Sequence, residues 1–128
     1  MTHRTISSSA MFLLFALLSS CTSEQDKQQK TLQNILSWTA SAEMIVDART
    51  SGVVPDTYSR LAIERCQDEV TSLVNELGDG ASETVRVIQP LLQEAADAAA
   101  KRDRPAAERV VEALRHARFE INREMTEA

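Results

Sequence analysis

Residues 31–46 read TLQNILSWTASAEMIV, and their apolar side chains recur every three or four positions. Because an α-helix turns once every 3.6 residues, this spacing places them on one broad face of a helix. The members of that face are Leu32, Ile35, Leu36, Trp38, Thr39, Ala42, Ile45 and Val46. A helix with one apolar face must bury it against other elements, so this stretch predicts one member of a helical bundle.

The same period recurs in three later segments, separated by residues that begin or end helices. Gly52 and the run 78–80 (Gly-Asp-Gly) end helices, Pro55 and Pro105 suit first turns, and Ser82 is the predicted N-cap of the third helix. The inward faces comprise Ala62, Ile63, Cys66, Val70, Leu73, Val74 and Leu77 in the second helix, Val85, Ile88, Leu91, Leu92, Ala95, Ala98 and Ala99 in the third, and Ala107, Val110, Val111, Leu114, Ala117, Ile121 and Met125 in the fourth.

Pro90 falls inside the third segment, but Val85 and Ile88 keep phase with Leu92 across it. We therefore predict one bent helix with Pro90 on its solvent side. Four helices of about 20 residues with short connections predict an all-α fold, an antiparallel up-down-up-down four-helix bundle over residues 31–128.

The stretch before the bundle has the three parts of an export signal. Arg4 precedes an apolar run over residues 10–18, which is far shorter than the roughly 20 residues of a membrane-spanning helix. Small residues follow that run, and a cysteine comes directly after them. The sequence Leu18-Ser19-Ser20-Cys21 resembles the lipobox of bacterial lipoproteins.

The resemblance implies that the Cys21 thiol is acylated and that the chain is cut just before it. Residues 1–20 would be the signal peptide, and residues 21–30 the lipidated cysteine and a polar tether, or a frayed first helical turn. In hosts with two membranes Asp after the cysteine retains such proteins at the inner membrane, so Thr22 favours the outer membrane, facing the periplasm. A plain secreted protein and a short uncleaved anchor are the alternatives.

The chain is acidic, with a formal net charge of −5 that becomes −6 once Arg4 is removed with the signal. An acidic surface disfavours nucleic acid and anionic lipid headgroups as partners. We therefore expect the membrane to be contacted through the lipid on Cys21. If the protein is an inhibitor, its charge would suit a basic target.

No pattern of chemistry stands out in the bundle. His116 is its single histidine, and Glu112 precedes it by four positions, whereas di-iron bundles use Glu-x-x-His. One histidine and Cys66 cannot complete a tetrahedral zinc site without several carboxylates. The acid pair Glu43/Asp47 is predicted to face solvent. We expect neither an enzyme nor a metal or other cofactor.

The architecture also resembles the small periplasmic cytochromes b, four-helix bundles that hold haem with a Met of the first helix and a His of the last. Met44 and His116 are the pair in those helices, but the helical phase places both on polar faces. Cys66 is predicted to be a buried, inert thiol because it lies centrally on the inward face of its helix. A redox-sensing thiol or an intermolecular disulfide is the alternative.

Phe119 and Met44 are apolar residues that fall on the polar faces of their helices. We expect Phe119 to be a contact for a protein partner, since the chain has only five aromatic residues and this one falls on a polar face. These observations favour an envelope lipoprotein that acts as a non-enzymatic interaction, scaffold or inhibitor module. A small-molecule or haem-binding periplasmic bundle is the alternative.

Overall fold

A computed structural model describes the backbone of residues 3–127 and the side chains of residues 23–127. Its elements are α1 (His3–Thr50), α2 (Asp56–Leu77), a 3-10 turn (Gly78–Gly80), α3 (Glu83–Arg86), α4 (Ile88–Lys101) and α5 (Arg104–Glu127). No strand occurs within residues 3–127, which confirms the predicted all-α class. The chain divides into two units, Met1–Lys30 and Thr31–Ala128.

In the first unit, residues 23–30 are helical and mostly exposed. The lipobox and the predicted lipidation site at Cys21 fall among residues whose side chains lie outside the described part of the structure. No helix among the described residues is long and apolar enough to cross a membrane.

The helices of the second unit pack their apolar faces into one core, as the helical phase predicts. Its largest fully buried side chains are Ile35, Ile63, Ile88, Leu92, Leu114 and Ile121. Burying one such side chain contributes about 1.5–3 kcal/mol relative to leaving it in water. This shared core, rather than the intrinsic helix preference of any one segment, holds the bundle together.

The turns between helices use the predicted residues. Gly52 has φ +77° just after α1, a conformation that glycine adopts without steric cost. Pro55 is the residue before α2, and the Ser82 hydroxyl accepts a hydrogen bond from the Val85 N–H (3.3 Å) before α3. The Asp103 carboxylate likewise accepts a hydrogen bond from the Ala106 N–H (3.1 Å) in the first turn of α5.

The predicted third helix is divided at Val87, so the expectation of a single bent helix was wrong. Pro90 has no N–H to donate to the Arg86 carbonyl, and its ring crowds that carbonyl. Val87 keeps helical angles (φ −67°, ψ −20°), and the Leu91 N–H reaches its carbonyl at 3.3 Å. Both halves therefore still bury Val85 and the apolar face of α4, while Pro90 is exposed as predicted.

Polar contacts join successive helices at their rims. They link Thr31 to Glu76 (3.5 Å), Arg49 to Asp56 (3.4 Å), Gln67 to Gln93 (3.3 Å) and Thr84 to Glu124 (2.8 Å). Each contact ties one helix to another, so four helical segments pack together: α1, α2, α3 with α4, and α5.

Candidate functional site

Glu43 is a residue of α1 that is 4% exposed, and its carboxylate contacts α5. Both of its carboxylate oxygens accept hydrogen bonds from Arg118, one from Nε and one from Nη2 at 2.9 Å. The expectation that Glu43 faces solvent was therefore wrong. The helical phase placed it on the solvated face, and the arginine that covers it lies 75 residues later in the sequence.

The pairing of Glu43 with Arg118 offsets the unfavourable free energy of burying a charged carboxylate. A buried charge is tolerated only when it is paired and hydrogen-bonded, and a bidentate guanidinium supplies both. The hydrogen bonds from Arg118 to Glu43 raise the pKa of that guanidinium above its ordinary value, although partial burial opposes the shift. The pair fixes α5 against α1 and so sets the position of the residues on either side of Arg118.

Phe119 follows Arg118 and is 65% exposed, as the sequence predicts. It lines an open groove of about 580 Å³ on the bundle surface. We call this groove the Phe119 surface; it is lined by Leu36, Glu112, Arg115, His116, Arg118, Phe119 and Asn122. Leu36 of α1 is packed partly against the core, and it and Phe119 are the apolar residues among the polar ones that line the groove.

Arg115 lies on the Phe119 surface beside two carboxylates but makes no hydrogen bond among the described residues. Its Nε is 3.6 Å from Glu43, and its Nη1 is 3.6 Å from Glu112. Both distances exceed a normal N–H···O hydrogen bond. Glu112 is 76% exposed and Arg115 is 53% exposed, so water weakens their attraction.

Met44 and His116, the pair considered for haem, both lie on the exposed surface, as predicted. Met44 is 72% exposed, and His116 lines the Phe119 surface. No group of three or more His, Cys, Asp or Glu side chains that could hold a metal ion occurs among the described residues.

Three further exposed apolar side chains were not predicted. Val53, Tyr58 and Leu61 are 76%, 57% and 55% exposed around the start of α2. Leu61 could have been found from the sequence, because it lies off the face defined by Ile63 and Cys66. Tyr58 is one helical turn from Leu61, so the two share an outward side of α2.

Cys66 is buried at 1% exposure, which confirms the predicted burial. Burial raises the pKa of the Cys66 thiol above its ordinary value, and a backbone hydrogen bond lowers it by a smaller amount. The thiolate is the reactive form of cysteine, so both access and ionisation disfavour reaction at this residue.

Comparison of the chain with models of protein families, with characterised proteins and with solved structures gives no match.

Proposed function

We propose that this chain is an envelope lipoprotein, held at the membrane by lipid on Cys21, whose bundle docks another envelope protein without catalysing a reaction. The observation that carries the docking proposal is the exposed Phe119 beside Leu36 on an open groove. The observation that carries the anchor is the sequence Leu18-Ser19-Ser20-Cys21.

A lipid anchor would attach a domain of negative net charge to the membrane without the help of a basic surface. Each acyl CH₂ that enters the bilayer contributes about 0.8 kcal/mol, and stable attachment needs two chains or one chain with a basic patch. The formal charge of −5 makes a basic patch a poor second signal, whereas a lipoprotein cysteine carries more than one chain. We place the protein at the outer membrane, facing the periplasm, because Thr22 rather than Asp follows the cysteine.

An up-down-up-down order of the four helical segments is part of the same proposal. Thr31, early in the bundle part of α1, contacts Glu76 at the end of α2, whereas Arg49 at the end of α1 contacts Asp56 at its start. This reversed order is expected of antiparallel neighbours joined by a short turn. A rigid bundle of this type presents its outward side chains at fixed positions, which suits a docking module.

A scaffold role is supported by the way the protein uses its buried polar groups. The Thr39 hydroxyl donates to the Ile35 carbonyl (2.7 Å), and the Ser59 hydroxyl donates to the Asp56 carbonyl (2.9 Å). The Glu43 carboxylate accepts two hydrogen bonds from Arg118. The first two hydrogen bonds lie within single helices and the Glu43 pair joins two helices, whereas Phe119 is exposed outside the core.

Site-specific photo-cross-linking in the host cell tests the docking proposal. A photoreactive phenylalanine analogue at position 119 keeps an aromatic side chain there, and the same analogue at exposed Asp68 on α2 is the matched control. We expect position 119 to give a discrete protein adduct in the envelope fraction that position 68 does not give. Identical adduct patterns at both positions, or lipid adducts alone at 119, would contradict docking at this surface.

A further inference from the structure

Arg115 is a guanidinium that the bundle does not use as a hydrogen-bond donor. The neighbouring Arg118 already donates to both oxygens of Glu43, so that carboxylate is saturated from one side. Arg115 stays at 3.6 Å from it and at 3.6 Å from Glu112. These two contacts are ion pairs of Nε and Nη1, so the other N–H groups of this half-exposed guanidinium are available to an acceptor that approaches from solvent.

The apolar part of the same groove lies within one helical turn. Phe119 is four residues after Arg115 on α5, a spacing that places the two on neighbouring turns of one face. Leu36 of α1 lines the groove from the other helix. A guanidinium with N–H groups left for a ligand thus lies on the same groove as two apolar side chains.

We infer that the Phe119 surface binds a segment of a partner protein that presents a carboxylate next to an apolar side chain. The carboxylate accepts hydrogen bonds from Arg115, and the apolar side chain packs between Leu36 and Phe119. This inference rests on the proposed docking function and specifies the chemistry of the partner at that surface.

The acidic net charge of the chain does not oppose this choice of partner. Net charge acts at long range and is screened within about 8–10 Å at physiological salt, whereas the docking contact is set by the groups that touch. Guanidinium and carboxylate form hydrogen bonds that are roughly twice as strong as neutral ones. Arg and aromatic side chains are also the types enriched where protein interfaces concentrate their binding energy.

Glu112 competes with the incoming carboxylate for Arg115. It is 76% exposed and can swing into water, so displacing it costs little. Removal of its charge would leave Arg115 more open and would remove repulsion of the ligand. The arrangement therefore predicts opposite effects for two neighbouring residues: neutralising Arg115 weakens docking, and neutralising Glu112 strengthens it.

The test uses the full-length protein in its host, with the photoreactive phenylalanine analogue at position 119, below saturation of docking. Arg115→Gln is expected to lower the cross-linked fraction about tenfold, the effect of losing one charge-assisted hydrogen bond. Glu112→Gln is expected to raise that fraction about twofold, because the competing exposed ion pair is weak. Arg109→Gln, an exposed arginine on the same helix outside the groove, is the matched control and should leave it unchanged.

The identity of the cross-linked segment completes the test. Mass spectrometry is expected to find an Asp, a Glu or a terminal carboxylate beside the residue joined to position 119. The inference would be overturned if neither Arg115→Gln nor Glu112→Gln changed the yield of the adduct. It would also be overturned if the cross-linked segment contained no carboxylate. The proposed docking function would stand in both cases. Absence of any protein adduct at position 119 would overturn both the inference and the docking function, and unchanged thermal unfolding of the variants excludes loss of the fold as the cause.

Discussion

At the scale of single residues, Glu43 shows how this bundle accommodates a buried charge. Glu43 sits at 4% exposure only because Arg118 reaches it from a helix 75 residues away in sequence. Periodicity can place a residue on a polar face, but it cannot state which partner will cover it. Glu43 was therefore predicted as a solvated acid, whereas the exposed positions of Phe119 and Met44 followed directly from helical phase.

Arg118→Met should destabilise the protein by about 2 kcal/mol, because the buried Glu43 carboxylate loses both hydrogen bonds and keeps only its 3.6 Å ion pair with Arg115. The double variant Glu43→Met/Arg118→Met should recover most of this loss, since no charge is then buried. Urea unfolding of the wild type, both single variants and the double variant measures the coupling. Additive losses in the double variant would mean that the pair is not coupled.

Cys66 should make the stability of the protein sensitive to alkali. Its folded pKa is raised by burial, so the stability that the thiol contributes is fully present below the unfolded pKa and is lost as pH rises toward the folded value. The unfolded thiol therefore ionises at a lower pH than the folded one, so the advantage of the wild type over Cys66→Ala should shrink between pH 7 and pH 10.

Urea unfolding of the wild type and Cys66→Ala at both pH values checks this expectation, because other titrating groups cancel in the difference. A gap that is equal at pH 7 and pH 10 would show that the thiol ionises as readily in the folded protein. It would also reopen the alternative of a reactive Cys66.

At the scale of elements, the sequence was most informative where local chemistry acts alone. Ser82 caps α3, and Gly52 follows α1 with positive φ, each as expected from its residue type. The division at Val87 was missed because two effects oppose each other: the helical angles of Val87 keep the apolar faces in phase, whereas Pro90 removes one hydrogen bond. Periodicity reports only the first effect, so the sequence predicted one helix where the structure has two.

Ser82→Ala should lower the free energy of unfolding by about 1 kcal/mol, since the Val85 N–H loses its acceptor at the start of α3. Ser72→Ala, at an exposed position within α2, is the matched control and should cost nothing. Thermal unfolding followed by circular dichroism compares the two. An equal response of both variants would indicate that the cap does not stabilise α3.

At the scale of the whole molecule, the bundle holds its outward side chains in place, and the anchor proposal assigns the leading segment the role of directing the protein to the membrane. The core and the four helical segments were predictable because each apolar face repeats over many residues. The spacing of Arg115 and Phe119 places both on one side of their helix, but the addition of Leu36 to that surface was not predictable, since it depends on how α1 and α5 pack. The docking proposal therefore needed the folded structure, whereas the anchor proposal depends on residues 18–21 alone.

The most direct test of the account is the intact mass of the protein isolated from the membranes of its host. Attachment through Cys21 predicts a chain that begins at residue 21 and carries the added mass of a diacylglyceryl group, with or without a further acyl chain. Replacement of Cys21 by Ser should remove that added mass. A chain that retains residues 1–20, or one that begins elsewhere with an unmodified Cys21 thiol, would contradict the proposal that this is a lipid-anchored envelope protein.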